Sequence, residues 1–167
     1  MKIGWVFLAA AAAVAAQTTL NRWFPGGVID FVLVVVVFTA LIAGRDSGMW
    51  AGTIAGLMQD AMSGGVIGMA GLSKTVVGFL AGVISTQFIV AQAPARFVVF
   101  FLATVVDAVI FMGLYELLGL RQFTSPVATI AGRALANAVV GVLAFKLVET
   151  FPGAVERYRA SKAGLRR

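Results

Sequence analysis

Long apolar runs follow one another from Ile3 to Leu147, parted only by short turns of polar, glycine or proline residues. An α-helix needs about 20 consecutive apolar residues to cross the hydrocarbon of a bilayer. A soluble domain has no interior in which to hide so many apolar faces. The chain is 60% hydrophobic and 12% charged, with a mean hydropathy of +0.98, against roughly 45–50% apolar and 25% charged in soluble domains. Lipid is therefore the solvent for which this sequence is written, and the reading is all-α: a polytopic membrane bundle of six transmembrane helices.

The runs place spans at residues 3–20, 28–43, 48–62, 73–90, 97–118 and 125–147. The first begins like a secretory signal, with Lys2 ahead of a small-residue run. It continues apolar through Leu20, so it is read as a span. The second is rich in β-branched residues, Val34 to Val37 among them. Those would suggest a strand in water, but in lipid every backbone group must be satisfied within its own segment, and a helix results. Asn21 to Gly27, Gly44 to Ser47, Ser63 to Ser73, Gln92 to Arg96 and Gly119 to Gln122 form the turns. Residues 1–150 make the transmembrane domain, and 151–167 a short basic tail.

Basic residues set orientation, because cytoplasmic ends carry the excess of Lys and Arg. One side collects Lys2, Arg45, Arg96 and the five basic tail residues, the other Arg22, Lys74 and Arg121. Both termini are expected on the cytoplasmic side of the membrane. The net charge of +6 is spread between spans and gathered only in the tail, which suits anionic headgroups better than nucleic acid. Membrane lipids are the expected partners of that charge.

The chain has no cysteine and no histidine. Disulfides and thiolate metal sites are excluded, and the commonest general base and metal ligand are missing. No phosphate loop, catalytic triad or paired-carboxylate motif stands in the sequence, so an enzyme, a metal and a cofactor are not expected.

Ionisable groups at membrane depth cost roughly 2.5–3.5 kcal/mol on insertion scales and need partners. Asp60 and Lys74 flank the glycine-rich turn and are expected to meet across it. Asp107 or Glu116 is expected to answer Arg133, with Asn137 one turn below it. Asp30, at the start of the second span, is expected at the interface. These charges either form a coupled-ion or substrate site or fix helix register as ion pairs. The structural reading is preferred, because nothing in the sequence places them at one depth. Glycines four apart, Gly52/Gly56, Gly64/Gly68 and Gly78/Gly82, permit close helix approach, and packing inside this bundle is expected of them.

The stretch from Gly56 to Leu80 resembles the central segment of the rod shape-determining MreD family. There a helix ends in Asp60, a turn follows with Gly64, Gly65 and Gly68, and Ser73-Lys74 opens the next helix. The resemblance implies a non-enzymatic scaffold of the cell-elongation machinery that binds MreC and helps organise lateral peptidoglycan synthesis. It also implies work alongside MreB, RodA and a class B transpeptidase. It further implies a fold similar to the substrate-binding subunits of energy-coupling-factor transporters, which makes a vitamin-type transport subunit the rival reading. Asp60, Gly64, Gly65, Gly68, Lys74, Asp107 and Arg133 are the candidate structural or partner-binding residues.

Overall fold

The computed structural model describes residues 3–23, 28–64, 66–87, 90, 92–120 and 126–150. The tail at 151–167, Gly65, and Arg121 with Gln122 lie outside the described residues. Six α-helices account for nearly all of what is described: α1 (Ile3–Trp23), α2 (Phe31–Ala43), α3 (Arg45–Ser63), α4 (Met69–Gln87), α5 (Ala93–Leu117) and α6 (Pro126–Thr150). Met69–Gln87, Ala93–Leu117 and Val127–Thr150 are long and apolar enough to cross a membrane by length and composition. Leu8–Leu20 and Phe31–Ala43 are shorter apolar helices.

All the helices but α2 are longer than the apolar runs; α2 begins at Phe31, three residues after the start of its run. Gly44 alone separates α2 from α3, because its φ of 85° reverses the chain in a conformation closed to most side chains. Arg45 to Ser47, read as turn, are the first residues of α3. Helix α4 starts at Met69, four residues ahead of Ser73. Helix α5 starts at Ala93 with Pro94 in its first turn, where the missing N–H costs nothing and the fixed φ suits a helix start.

Helix α2 is the pivot. Its 13 residues extend about 20 Å at 1.5 Å per residue, short of the roughly 30 Å hydrocarbon core. Val32, Leu33, Val34, Val36, Val37, Ala40 and Leu41 are buried on most of its circumference, and it packs against each of the other five helices. One apolar cluster joins Val34, Val37 and Leu41 to Val77, Phe100, Ala138 and Phe145. Another joins Val32 and Val36 to Ala10, Ala13, Val14 and Ala55. A short helix inside a bundle must begin inside the bundle, and that places the site.

Candidate functional site

The first N–H groups of any helix lack intrahelical acceptors, and those of α2 are out of reach of solvent. Side chains from three directions supply what is missing. Asp30 is the N-cap, its Oδ1 accepting from the Leu33 N–H at 2.9 Å. Gln17 of α1 accepts from the Phe31 N–H at 2.8 Å and donates to the Ile29 carbonyl at 3.0 Å. Asn137 of α6 accepts from the Asp30 N–H at 2.8 Å and donates to Thr104 Oγ1 of α5 at 3.2 Å. All four of these side chains are buried.

A charged triad grows from the same cap. Lys74 Nζ of α4 donates to Asp30 Oδ2 at 3.0 Å and to Asp107 Oδ2 of α5 at 3.4 Å. Ser73 Oγ donates to the other oxygen of Asp107 at 2.8 Å. The side chains of Lys74, Asp30 and Asp107 are 3%, 7% and 11% exposed. Charges taken this far from water persist only when paired and hydrogen-bonded. Asp30 gains further from the helix dipole it caps, whose positive end favours a carboxylate. Arg133 on α6 is half-buried and, among the described residues, forms no ion pair with Asp30.

Asp60 solves the same problem for α4. Its Oδ2 accepts from the N–H groups of Gly68 at 2.9 Å and Gly71 at 3.1 Å, and Oδ1 from that of Ala70 at 3.2 Å. The turn that brings these groups round uses Gly64, the left-handed C-cap of α3 with φ 67°, and Gly68 with φ 106°. Below it, α3 and α4 touch backbone to backbone. A Cβ on Gly52 would run into the Lys74 carbonyl, one on Gly56 into the Ala70 carbonyl, and one on Gly48 into the Gly78 carbonyl. Thr53 and Thr75 hydroxyls hydrogen-bond across the same seam at 2.8 Å. The start of α4, and with it Lys74, is thereby fixed against α3.

A family model described as rod shape-determining protein MreD matches residues 2–151. The chain belongs to the MreD family. No curated protein and no solved structure matches it. The MreD match takes in all six helices and every residue of the network. The family is one of shape determination and is not a known enzyme family.

The expected pairings in this MreD-family chain are redrawn by the structure. Asp60 and Lys74 do not meet: Asp60 is taken up by the backbone N–H groups nearest to it, and Lys74 lies beyond them and turns inward to α2 and α5. Asp107 answers Lys74, and among the described residues no ion pair joins Arg133 to Asp107 or to the exposed Glu116. Asp30, expected at the interface, is 5% exposed because α2 is short. Asp30, Lys74, Asp107 and Asn137 converge after all.

The glycines divide by role. Gly52, Gly56, Gly78 and Gly82 pack inside the bundle as expected, and Gly48 extends the row on α3. Gly64 and Gly68 have open space around them and serve the turn instead. Arg96, expected at the surface, is buried: its guanidinium lies 4.3 Å from the centre of the Phe145 ring and 2.6 Å from Glu149 Oε1. Phe145 of α6 in turn meets Phe100 of α5 edge-on at 6.2 Å. Gln17 and Thr104 join the network without belonging to the charged groups that the sequence marks. An amide alone in the run from Ile3 to Leu20 is the signal that points to Gln17.

Proposed function

We propose that this chain is a six-span scaffold of the bacterial inner membrane with both termini in the cytoplasm, built on a bundle like those of energy-coupling-factor substrate-binding subunits. In this reading it binds MreC and helps organise lateral peptidoglycan synthesis with MreB, RodA and a class B transpeptidase. The observation that carries it is what the buried polar groups do. Asp30, Lys74, Asp107, Asn137, Gln17 and Asp60 are engaged with one another and with helix starts, as suits a rigid body that others assemble on. A transport subunit needs convergent polar groups turned toward a cargo.

Co-purification from the host membrane in mild detergent tests the scaffold. An MreC-type protein should travel with the tagged chain. Recovery of an ATPase module and a bound metabolite, with no cell-wall or MreC-type protein, overturns the reading in favour of transport. Reporter fusions after residue 150 test the orientation, which is wrong if a periplasm-dependent phosphatase becomes active there.

A further inference from the structure

We propose that the buried triad is a proton-binding site, with Asp107 as the group that carries the proton. Two carboxylates share one ammonium, so the triad holds one negative charge more than its lysine neutralises. The two contacts are unequal: Lys74 sits 3.0 Å from Asp30 and 3.4 Å from Asp107. Asp30 is also held by the Leu33 N–H and the dipole of α2, which favour its anion. Asp107, near the middle of α5, has among the described residues the Ser73 hydroxyl alone besides the shared lysine.

Among the described residues no other counter-charge is in contact with the pair. From α1 comes the neutral Gln17 amide, and from α3 comes Asp60, whose oxygens are occupied by the start of α4. From α6 come neutral Asn137 and the half-buried Arg133, which among the described residues makes no ion pair with either acid. Like charges sharing a site cannot both ionise freely, and one of them takes up a proton. The proton adds to Asp107 Oδ1, making a neutral acid that donates to Ser73 Oγ, while the Ser73 hydroxyl turns to the Ala70 carbonyl 3.3 Å away; no covalent bond forms or breaks apart from the new O–H. Its loss puts two anions on one lysine and loosens α5 from α4.

Infrared spectroscopy of the purified full chain in lipid nanodiscs, titrated from acid to alkaline pH, reads the site directly. The expected result is one protonated carboxylic acid per chain at neutral pH. That absorption disappears in Asp107→Asn, and also in Asp30→Asn, because Lys74 then has a single acid to pair with. Arg133→Gln leaves it in place. The thermal midpoint of the wild type should fall as pH rises past the loss of the proton, and that of Asp107→Asn should not. The proposal is overturned if the wild type shows no protonated acid at neutral pH, in particular if one emerges only in Arg133→Gln. It is equally overturned if the absorption survives both asparagine variants. The measurement needs no partner protein, so its failure is distinct from a failure of the scaffold reading.

Discussion

Lys74 Nζ and Asp30 Oδ2 lie 3.0 Å apart although 44 positions separate them in the chain. The contact joins α4 to the N-cap of α2, so one carboxylate serves both as helix cap and as counter-ion.

That double duty separates two otherwise similar substitutions. Asp30→Asn keeps a cap but leaves Lys74 with the longer contact alone, whereas Asp107→Asn leaves the shorter one intact. Asp30→Asn should cost more stability. Lys74→Met, which strands both acids, should cost the most, on the order of 3–5 kcal/mol. Thermal unfolding of the three variants in one detergent gives the ranking, and an equal cost for the two asparagines would contradict it.

Asp60→Ala should destabilise by about 1–2 kcal/mol through lost capping of α4. Since Asp60 and Lys74 share no hydrogen-bonding partner, the cost should be independent of the lysine. A double-mutant cycle with Lys74→Met should show coupling below about 0.5 kcal/mol. Strong coupling would restore the direct pair that the geometry replaces.

Gly52→Ala should be far more damaging than Gly113→Ala or Gly132→Ala. A methyl group at 52 strikes the Lys74 carbonyl, while those at 113 and 132 meet nothing within 4 Å. Overpacking costs about 1–3 kcal/mol, and the two open sites should gain a few tenths from helix propensity. Protease resistance of the solubilised chain ranks the three.

Arg96→Lys should destabilise although charge is kept, because an ammonium cannot at once lie flat on Phe145, donate to Glu149 and donate to the Val90 carbonyl as the guanidinium does. Glu149→Gln should cost less than about 1 kcal/mol, since that side chain is 45% exposed and its partner retains the ring. A larger loss for Glu149→Gln than for Arg96→Lys would refute the assignment.

Six helices and their order are legible in the hydropathy of the sequence because runs such as Phe97 to Leu118 admit no other solution, while more than half of their ends lie three or four residues from the limits of the runs. The pairing of charges is not. Asp60 and Lys74 are near neighbours in the chain, and proximity suggests a pair. What decides is which backbone N–H groups go unsatisfied, and that depends on where α4 begins. Asp30 is misplaced for a related reason: its depth follows from the shortness of α2, which only the ends of a packed helix reveal. The glycine rows are legible from their spacing, yet Gly64 and Gly68 share that spacing for an unrelated cause, their positive φ.

Asp30 precedes Lys74 in the chain and Asp107 follows it. Synthesis therefore delivers the lysine when one of its acids is already present and the other is not yet made. At that moment the hairpin of α3 and α4 can close on α2 with charges balanced one to one. The second acid arrives only with α5, and the proton it takes up keeps that balance in the finished bundle.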